Sequence, residues 1–377
     1  MAGGDATAEA RGLLAAALSM SETMGMLFHA KRAGERLALS SILDNMASMA
    51  ALPESPITEV VDLRHLAAGA LDEVLEEETR QWREVLAWDF SAPGLLVKRF
   101  VDMQSLNGRA LIHAGRVVGY TYTVTDEDKG LIGDLYILRE FATAAMEDKL
   151  LNATVETLYR TAGVRRIESQ VILLTYPRPA PPAHATDLRL FERYYMVCDL
   201  RRTHRWAESE SRLLDVDGWS ERYQEDTATL VARAYEGHVD GNINDQYRSV
   251  SGARRFLQNI VQYPGCGSFF GEGSWLAWRR DTGRMCAAAL ASIVAEDAGH
   301  ITQICVSPSS RGQGFGREIL SRSLRSLREA GCRQASLTVT AANRNAIGLY
   351  ESMGFTVERR FAAMVWEHIR PVRRFFL

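Results

Sequence analysis

The 377-residue chain is short of the features that most quickly classify a protein. Its five cysteines (Cys198, Cys266, Cys286, Cys305 and Cys332) are scattered, odd in number, and include no Cys-x-x-Cys pair. That argues against a disulfide framework and offers no zinc-ligand spacing, so no metal site is expected. Isolated cysteines of this kind read as small buried hydrophobes in a reducing compartment. Charge of one sign is also missing. Lys and Arg number 44 against 47 Asp and Glu, a net charge of −3 without the basic excess of a nucleic-acid binder. No apolar run approaches the roughly 18 residues of a membrane span. The opening stretch MAGGDATAEARGLLAAALSM carries Asp5 and Glu9 ahead of its apolar part and lacks the basic start of a signal peptide. The expectation is a cytoplasmic protein. Prolines number only 10, and four of them crowd into YPRPAPPAHATD (176–187), which cannot be a helix interior or a central strand.

What is present is an ordinary globular composition, 46% hydrophobic and 24% charged, on a chain long enough for two cores. Residues 8–50 are rich in Ala, Leu and Met and read as a helical arm ending at Pro53 and Pro56. Such an arm has no core of its own and must pack on the main body or across a dimer. From Ile57 onward, strand and helix periodicity runs through one pattern twice. ITEVVDLRHL, two helical stretches, three strands, a helix from about Ala144 to Ala162 and the strand RRIESQVILL are followed by RLLDVDGW, two helices, three strands, a helix from Gly314 to Ala330 and CRQASLTVT. Gly130 aligns with Gly299 and Ile137 with Val306, each 169 residues apart; Gly163 and Gly331 are 168 apart, and Arg193 and Arg360 are 167 apart. A slow drift of this kind is what duplication followed by small loop deletions leaves. The expected organisation is an arm (1–56), a first repeat (57–205) and a second (206–377), joined by the polar segment RRTHRWAESES (201–211).

The second repeat contains the stretch most suggestive of chemistry, VSPSSRGQGFGREIL (306–320). Gly312, Gly314 and Gly316 allow backbone N–H groups to face one concavity without intervening side chains. The helix that begins there adds unpaired N–H groups and the positive end of its dipole. Arg311 adds a cation able to meet a phosphate. No GKS or GKT follows, so this is not a P-loop, and the spacing is not that of the dinucleotide fingerprint.

The run Arg-x-x-Gly-x-Gly between a strand ending near Val306 and a helix resembles the acyl-CoA-binding loop of the GCN5-related N-acetyltransferases (GNAT). A second segment, ANRNAIGLYESMGF (342–355), resembles that family's Asn-x-x-Ala-x-x-Leu-Tyr-x-x-x-Gly-Phe at Asn343, Ala346, Leu349, Tyr350, Gly354 and Phe355. The resemblance implies an α/β fold of two tandem GNAT-like domains in the layout of mycothiol synthase-like proteins. Each would be a mixed, mostly antiparallel sheet flanked by helices. It also implies acetyl-CoA or another acyl-CoA as donor, held by Ile304, Cys305, Val306, Arg311, Gly312, Gln313, Gly314, Phe315, Gly316 and Asn343. Tyr350 would protonate the departing thiolate, which suits a phenol with a pKa of about 10.

The first repeat lacks these groups. Arg311, Gly314 and Gly316 fall on Ala142, Ala145 and Glu147, while Asn343 and Tyr350 fall on Thr175 and Pro182. Glu147 and Asp148 would put negative charge where a pyrophosphate should lie, so this half is expected to be structural, or one wall of the acceptor pocket. The acceptor implied is a primary amine, on a small molecule or on a peptide or protein lysine. The resemblance implies an acidic residue near Ile304–Val306, and none is there. The candidate bases on that strand are His300 and Gln303, of which Gln cannot accept the proton. The remaining candidates lie in YEGHVDGNINDQYRS (235–249), where Asp240 or Asp245 could pair with an ammonium and His238 could assist deprotonation. Phe269 and Phe270 are candidates to line the pocket. A CoA-responsive binding or regulatory protein with an inactive acceptor site is the alternative reading.

Overall fold

The computed structural model describes residues 57–67, 69–202, 211–262 and 267–367. The arm expected over 1–56, most of the 201–211 connection and Cys266 therefore lie outside the described residues. The first half runs β1 (Thr58–Asp62), α1 (Asp72–Leu86), α2 (Ser91–Asp102), β2 (Gly108–His113), β3 (Arg116–Asp126), β4 (Lys129–Ile137), α3 (Ala144–Arg160), β5 (Arg166–Ser169) and β6 (Leu188–Asp199). The second runs β7 (Leu214–Gly218), α4 (Gln224–Ala234), a short turn of helix α5 (Asp240–Ile243), α6 (Val250–Gln262), β8 (Ser268–Phe269), β9 (Trp275–Arg279), β10 (Met285–Ala295) and β11 (Ala298–Val306). It ends with α7 (Phe315–Glu329), β12 (Gln334–Thr340), α8 (Arg344–Ser352) and β13 (Phe355–Trp366).

Local sequence explains the main elements. In α1, Val74, Leu75, Glu78, Trp82 and Leu86 recur on one face and are buried, and the helix stops at Ala87 in the left-handed region. The small, apolar run of β10 is covered on both faces and does not alternate. A Cβ on Gly130 would come within 2.8 Å of Leu158, and one on Gly299 within 2.6 Å of Leu327. Each glycine thus lets its helix lie close against its strand. The two pairs stand 169 residues apart, as the aligned sequences require.

All thirteen strands join one mixed sheet in the order β1-β2-β3-β4-β5-β13-β6-β12-β11-β10-β9-β7, with β8 on β10. Pairing is parallel between β4 and β5 and between β11 and β12, and antiparallel elsewhere among the described residues. The duplication extends to irregularities. Ladder shifts place the extra residue at Gly133 in β4 and at Thr302 in β11, again 169 apart.

The halves exchange their last strands. β13, from the end of the second half, lies between β5 and β6 of the first. β6, from the end of the first, pairs with β12 of the second. The cores follow suit: Met364 and Trp366 pack with Leu131, Val155 and Ile167, whereas Tyr194, Met196 and Cys198 pack with Leu324, Leu337 and Phe355. A seam of Trp82, Trp88, Phe90, Val294, Ala298 and Phe361 joins the two. The segments 57–205 and 206–377 are contiguous in sequence, but their sheets are interleaved.

Within the first half, Glu78 is fully buried and accepts hydrogen bonds from Tyr120 Oη (2.8 Å) and Trp82 Nε1 (3.3 Å). Burial, and then the neighbouring Asp134 carboxylate, lift it well above the usual carboxylate range. An unfolded chain releases this proton near pH 4.3 while the native one keeps it. The stabilisation is therefore complete below that pH and is lost as pH rises toward the native pKa. Glu78→Gln cannot titrate, so it should flatten the decline in stability from about pH 5 upward, by as much as ~1.4 kcal/mol per pH unit. It leaves the smaller contribution of Asp134, whose own pKa is raised to about 6. Thermal melts across that range check this, and an unchanged slope would mean that Glu78 is already ionised in the native protein.

Candidate active site

β11 and β12 pair only from Ala298–His300 with Gln334–Ser336, although β11 continues to Val306 and β12 to Thr340. Past His300 the two strands splay into a wedge that opens toward 306–316. Ser307 N–H donates to Cys286 O on β10 (2.8 Å). Strand alternation then directs the N–H groups of Ile304 and Val306 the other way, into the wedge. Side chains sort similarly: Ile304 and Val306 pack beside Phe315 and Ile319 of α7, while Cys305 joins the cluster under α4 and α6. Burial pushes the Cys305 thiol up to about 12, leaving it a neutral thiol.

The glycine loop closes the mouth of the wedge. Gly312 and Gly314 hold φ of +76° and +82°, and a Cβ on either would meet nothing within 4 Å. Gly314 caps α7 without a side chain. Glu318 N–H is the first of the helix to find a carbonyl, that of Gly314, so the N–H groups of 315–317 precede the intrahelical ladder. A Cβ on Gly316 would meet the side chains of Leu349 and Val306 at 3.4 Å, so this glycine faces the core side of the helix and not open space. Phe315 is buried in the core and can offer a ligand only its backbone. Arg311 donates from Nη2 to Ala234 O (2.6 Å), tying the loop to the end of α4. Gln313 bridges Arg279 and Ser309 O. An open, positively biased concavity without side chains fits a pyrophosphate. Asn343 caps α8, its Oδ1 accepting from Ala346 N–H (3.3 Å). That bond orients the side chain and commits its oxygen to the helix.

Tyr350 is buried on α8 beside Phe355, with ring centroids 5.9 Å apart. Burial, then the Asp240 charge, raise its pKa well above that of a free phenol, with Arg193 opposing. Asp240 accepts a hydrogen bond from Thr340 Oγ1 and lies 3.6 Å from His238 Nδ1. Tyr235 stacks on Tyr247 at 4.4 Å and donates to Gln303 Oε1 (2.9 Å). The structure thus gathers His238, Asp240 and Tyr350 at the wedge, with Tyr235, Tyr247, Gln303 and Arg193 around them.

Two expectations need revision. Asp245 is not a free carboxylate; it is bound by Lys129 Nζ of the first half at 2.6 Å. His300 is no base, because it is buried against Trp88 and Ser336 and its pKa is pushed down to about 3. Phe269 and Phe270, the candidate pocket lining, are half-buried and pack on the flanking hydrophobic clusters, with Phe269 edge-on to Trp219. In addition, the Ile304 N–H already donates to its neighbour Gln303 Oε1 (2.9 Å). Sequence reasoning passed over Arg193, whose only local signal was its place in the repeat alignment; strand exchange carries it from the first half to Thr338 on β12.

The corresponding place in the first half is filled from within. Thr143 caps α3, and the buried Glu147 accepts from Thr175 N (3.2 Å), Thr175 Oγ1 (2.9 Å) and Arg178 Nη1 (3.2 Å). Arg178 also pairs with Asp148. Among the described residues, no group of three or more potential ligands could hold a metal ion, and no helix is long and apolar enough to cross a membrane.

Comparison with known proteins agrees with this geometry. Residues 244–355 match the model of the Acetyltransferase (GNAT) family. The tandem GNAT protein from the clavulanic acid biosynthesis pathway superposes with a TM-score of 0.55 at 17% identity, covering 84% of this chain and 99% of that one. A GCN5-related N-acetyltransferase from Sphaerobacter thermophilus gives 0.60 at 16% identity, covering 85% and 98%. These show the fold: a mixed α/β sheet in a tandem GNAT-like layout. Among curated relatives, the ribosomal protein bS18-alanine N-acetyltransferase of Escherichia coli (strain K12) is 37% identical over 82 residues, 21% of this chain and 55% of that protein. Mycothiol acetyltransferase of Thermobispora bispora is 43% identical over 58 residues, 15% of this chain and 20% of that one. The chain spans about half the length of the first relative and less of the second. The family model thus falls within the second half of the chain, and the likeness in fold extends over most of its length.

Proposed function

We propose that the chain is an N-acyltransferase moving an acyl group, acetyl in the simplest case, from acyl-CoA to a primary amine by direct attack in a ternary complex. The observation that carries this reading is the splay of β11 from β12 beside a glycine loop and the uncapped start of α7. Arg311, Gly312, Gln313, Gly314 and the backbone of 315–316 would hold the pyrophosphate, and Asn343 the CoA arm. Bound acyl-CoA supplies the activated thioester. Asp240 would receive the amine as its ammonium, and His238 beside it would help remove the proton. Tyr350, kept protonated by burial, would hold the proton that the leaving sulfur needs. The backbone N–H of Val306 would stabilise the negative charge that develops on the carbonyl oxygen, joined by that of Ile304 once the substrate displaces Gln303 Oε1 from it. A small-molecule amine and a peptide or protein amine are both compatible with this arrangement.

Calorimetric titration of acetyl-CoA into wild type and Gly314→Glu tests the reading. We expect one site per chain and a loss of at least ~100-fold in affinity on placing a carboxylate in the concavity, or about 2.7 kcal/mol. Two sites would mean that the first half also binds despite Glu147, and no binding would end the acyltransferase reading. A second reading, a CoA-responsive binding protein, draws on the Ile304 N–H being covered by Gln303. Turnover with a panel of amines separates the two.

A further inference from the structure

We propose that the first half works as the positioning frame of the second half's acceptor loop, through the buried cations Arg166 and Lys129. The catalytic consequence rests on the acyltransferase reading above; the clamp itself does not.

The loop between α4 and α6 carries His238, Asp240, Asp245 and Tyr247. Its central turn, α5, is Asp-Gly-Asn-Ile, with Ile243 as its one buried apolar side chain. Apolar packing therefore gives this turn little hold, and charged groups take over. Arg166 on β5 donates from Nη2 to Asn242 O (2.7 Å) and Ile243 O (3.3 Å). Arg248 donates from Nε to Gly241 O (2.6 Å). Three consecutive carbonyls, beginning one residue after Asp240, are thus gripped by guanidinium groups. Arg166 is itself held by Glu168 (2.5 Å) and by Glu367, which also takes Arg248 (3.3 Å). Lys129 on β4 fixes the other end of the turn through Asp245. The side chains of Lys129 and Arg166 are only 4% and 8% exposed. Burial works against the charge on Lys129, but Glu168 and Asp245 outweigh it and raise its pKa. For Arg166 burial again opposes the charge, and Glu168, Asp245 and Glu367 together outweigh it.

The duplication shows that the fold does not require this clamp. Lys129 and Arg166 are register partners on β4 and β5, and their counterparts on β11 and β12 are the partners Ala298 and Gln334. Those residues face the reciprocal contact, where the first half's own α1–α2 loop meets the second half. There the joint is aromatic and apolar: Trp88 and Phe90 pack with Val294, Ala295 and Ala298. One pseudo-symmetric joint is built from hydrophobes. The other, against the loop that carries Asp240, is built from buried charges that grip backbone carbonyls. Replacing a whole buried ion pair by apolar groups is often tolerated by a fold, but removing one partner strands the other's charge. A cost in overall stability is therefore expected, and the positioning role is read from local protection and amine kinetics.

The experiment compares full-length wild type with Arg166→Met, Lys129→Met and Arg166→Lys by hydrogen exchange, acetyl-CoA calorimetry, thermal melting and amine kinetics. In both Met variants, we expect amide protection over 240–245 to fall about tenfold with unchanged acetyl-CoA affinity, while the melting temperature falls because the buried Glu168 loses a partner. The KM for the amine should rise about tenfold or more, since small misplacements of a positioned group are costly. Arg166→Lys keeps the charge and one donor and should recover part of both effects. Unchanged protection in folded Met variants would overturn the proposal. So would a parallel loss of acetyl-CoA affinity, or protection lost uniformly over both halves, which would make the cluster a general structural support. The two variants cut different links, so the failure of one to fold leaves the other decisive. Were the wild type to bind acetyl-CoA yet acylate no amine, the functional reading would fail while the exchange data still judged the clamp.

Discussion

Tyr350→Phe is expected to lower kcat by about 10²–10⁴-fold, the range for losing a positioned proton donor, with acetyl-CoA affinity unchanged. The substitution removes one oxygen and keeps the ring on Phe355, so the α8–β13 packing survives. The sign of the pKa shift matters here. Burial and Asp240 both hold the phenol in its neutral form, so the donor stays loaded through neutral and moderately alkaline pH. The alkaline limb of a pH–rate profile should therefore not belong to Tyr350. Steady-state kinetics with calorimetry on the same preparations would decide the matter. A loss under tenfold would assign the proton to another group, and a loss of acetyl-CoA binding would make Tyr350 a binding residue.

The second large effect concerns the halves themselves. Residues 206–377, expressed alone, should fail to fold cooperatively. Their last strand, β13, has both of its ladder partners, β5 and β6, in the first half. β12 would lose its β6 neighbour as well. Phe361, Met364, Val365 and Trp366, each at most 2% exposed in the intact chain, would lose much of their cover. At roughly 1.5–3 kcal/mol for each large apolar side chain, that exceeds much of the 5–15 kcal/mol margin typical of a folded domain. Co-expression of 57–205 with 206–377 should restore a soluble, cooperatively melting complex. A fragment that melts cooperatively alone and binds acetyl-CoA would show that the exchange is dispensable.

Much of the local geometry of the proposed donor side was legible in sequence because it depends on neighbours along the chain. Glycines able to take positive φ, a helix start and an Arg lie within six residues, and a loop needs only its own backbone to form an anion-binding concavity. The second motif fared likewise: Asn343 caps the helix on which Tyr350 sits, seven residues later. Periodicity was enough to find nearly every strand and helix, since each buries one face or both. Comparing the copies also exposed the first half's loss of its glycines, and the structure fills that place with Glu147 and Arg178.

The acceptor side was not legible in the same way, because its determinants are far apart in sequence. Asp245 looks like an open carboxylate until Lys129, 116 residues earlier, is brought against it. His300 reads as a base on a polar strand until the seam between the halves buries it under Trp88. Arg193 reaches the neighbourhood of Tyr350 only because β6 crosses into the other half of the sheet. By itself, the sequence determined the elements, the duplication and the loop that suits a phosphate, all of which depend on neighbours along the chain. The tertiary structure alone decided which strand belongs to which half and which charges are spent on holding the loop. Those outcomes depend on burial and on charge partners more than a hundred residues away, which no local pattern records.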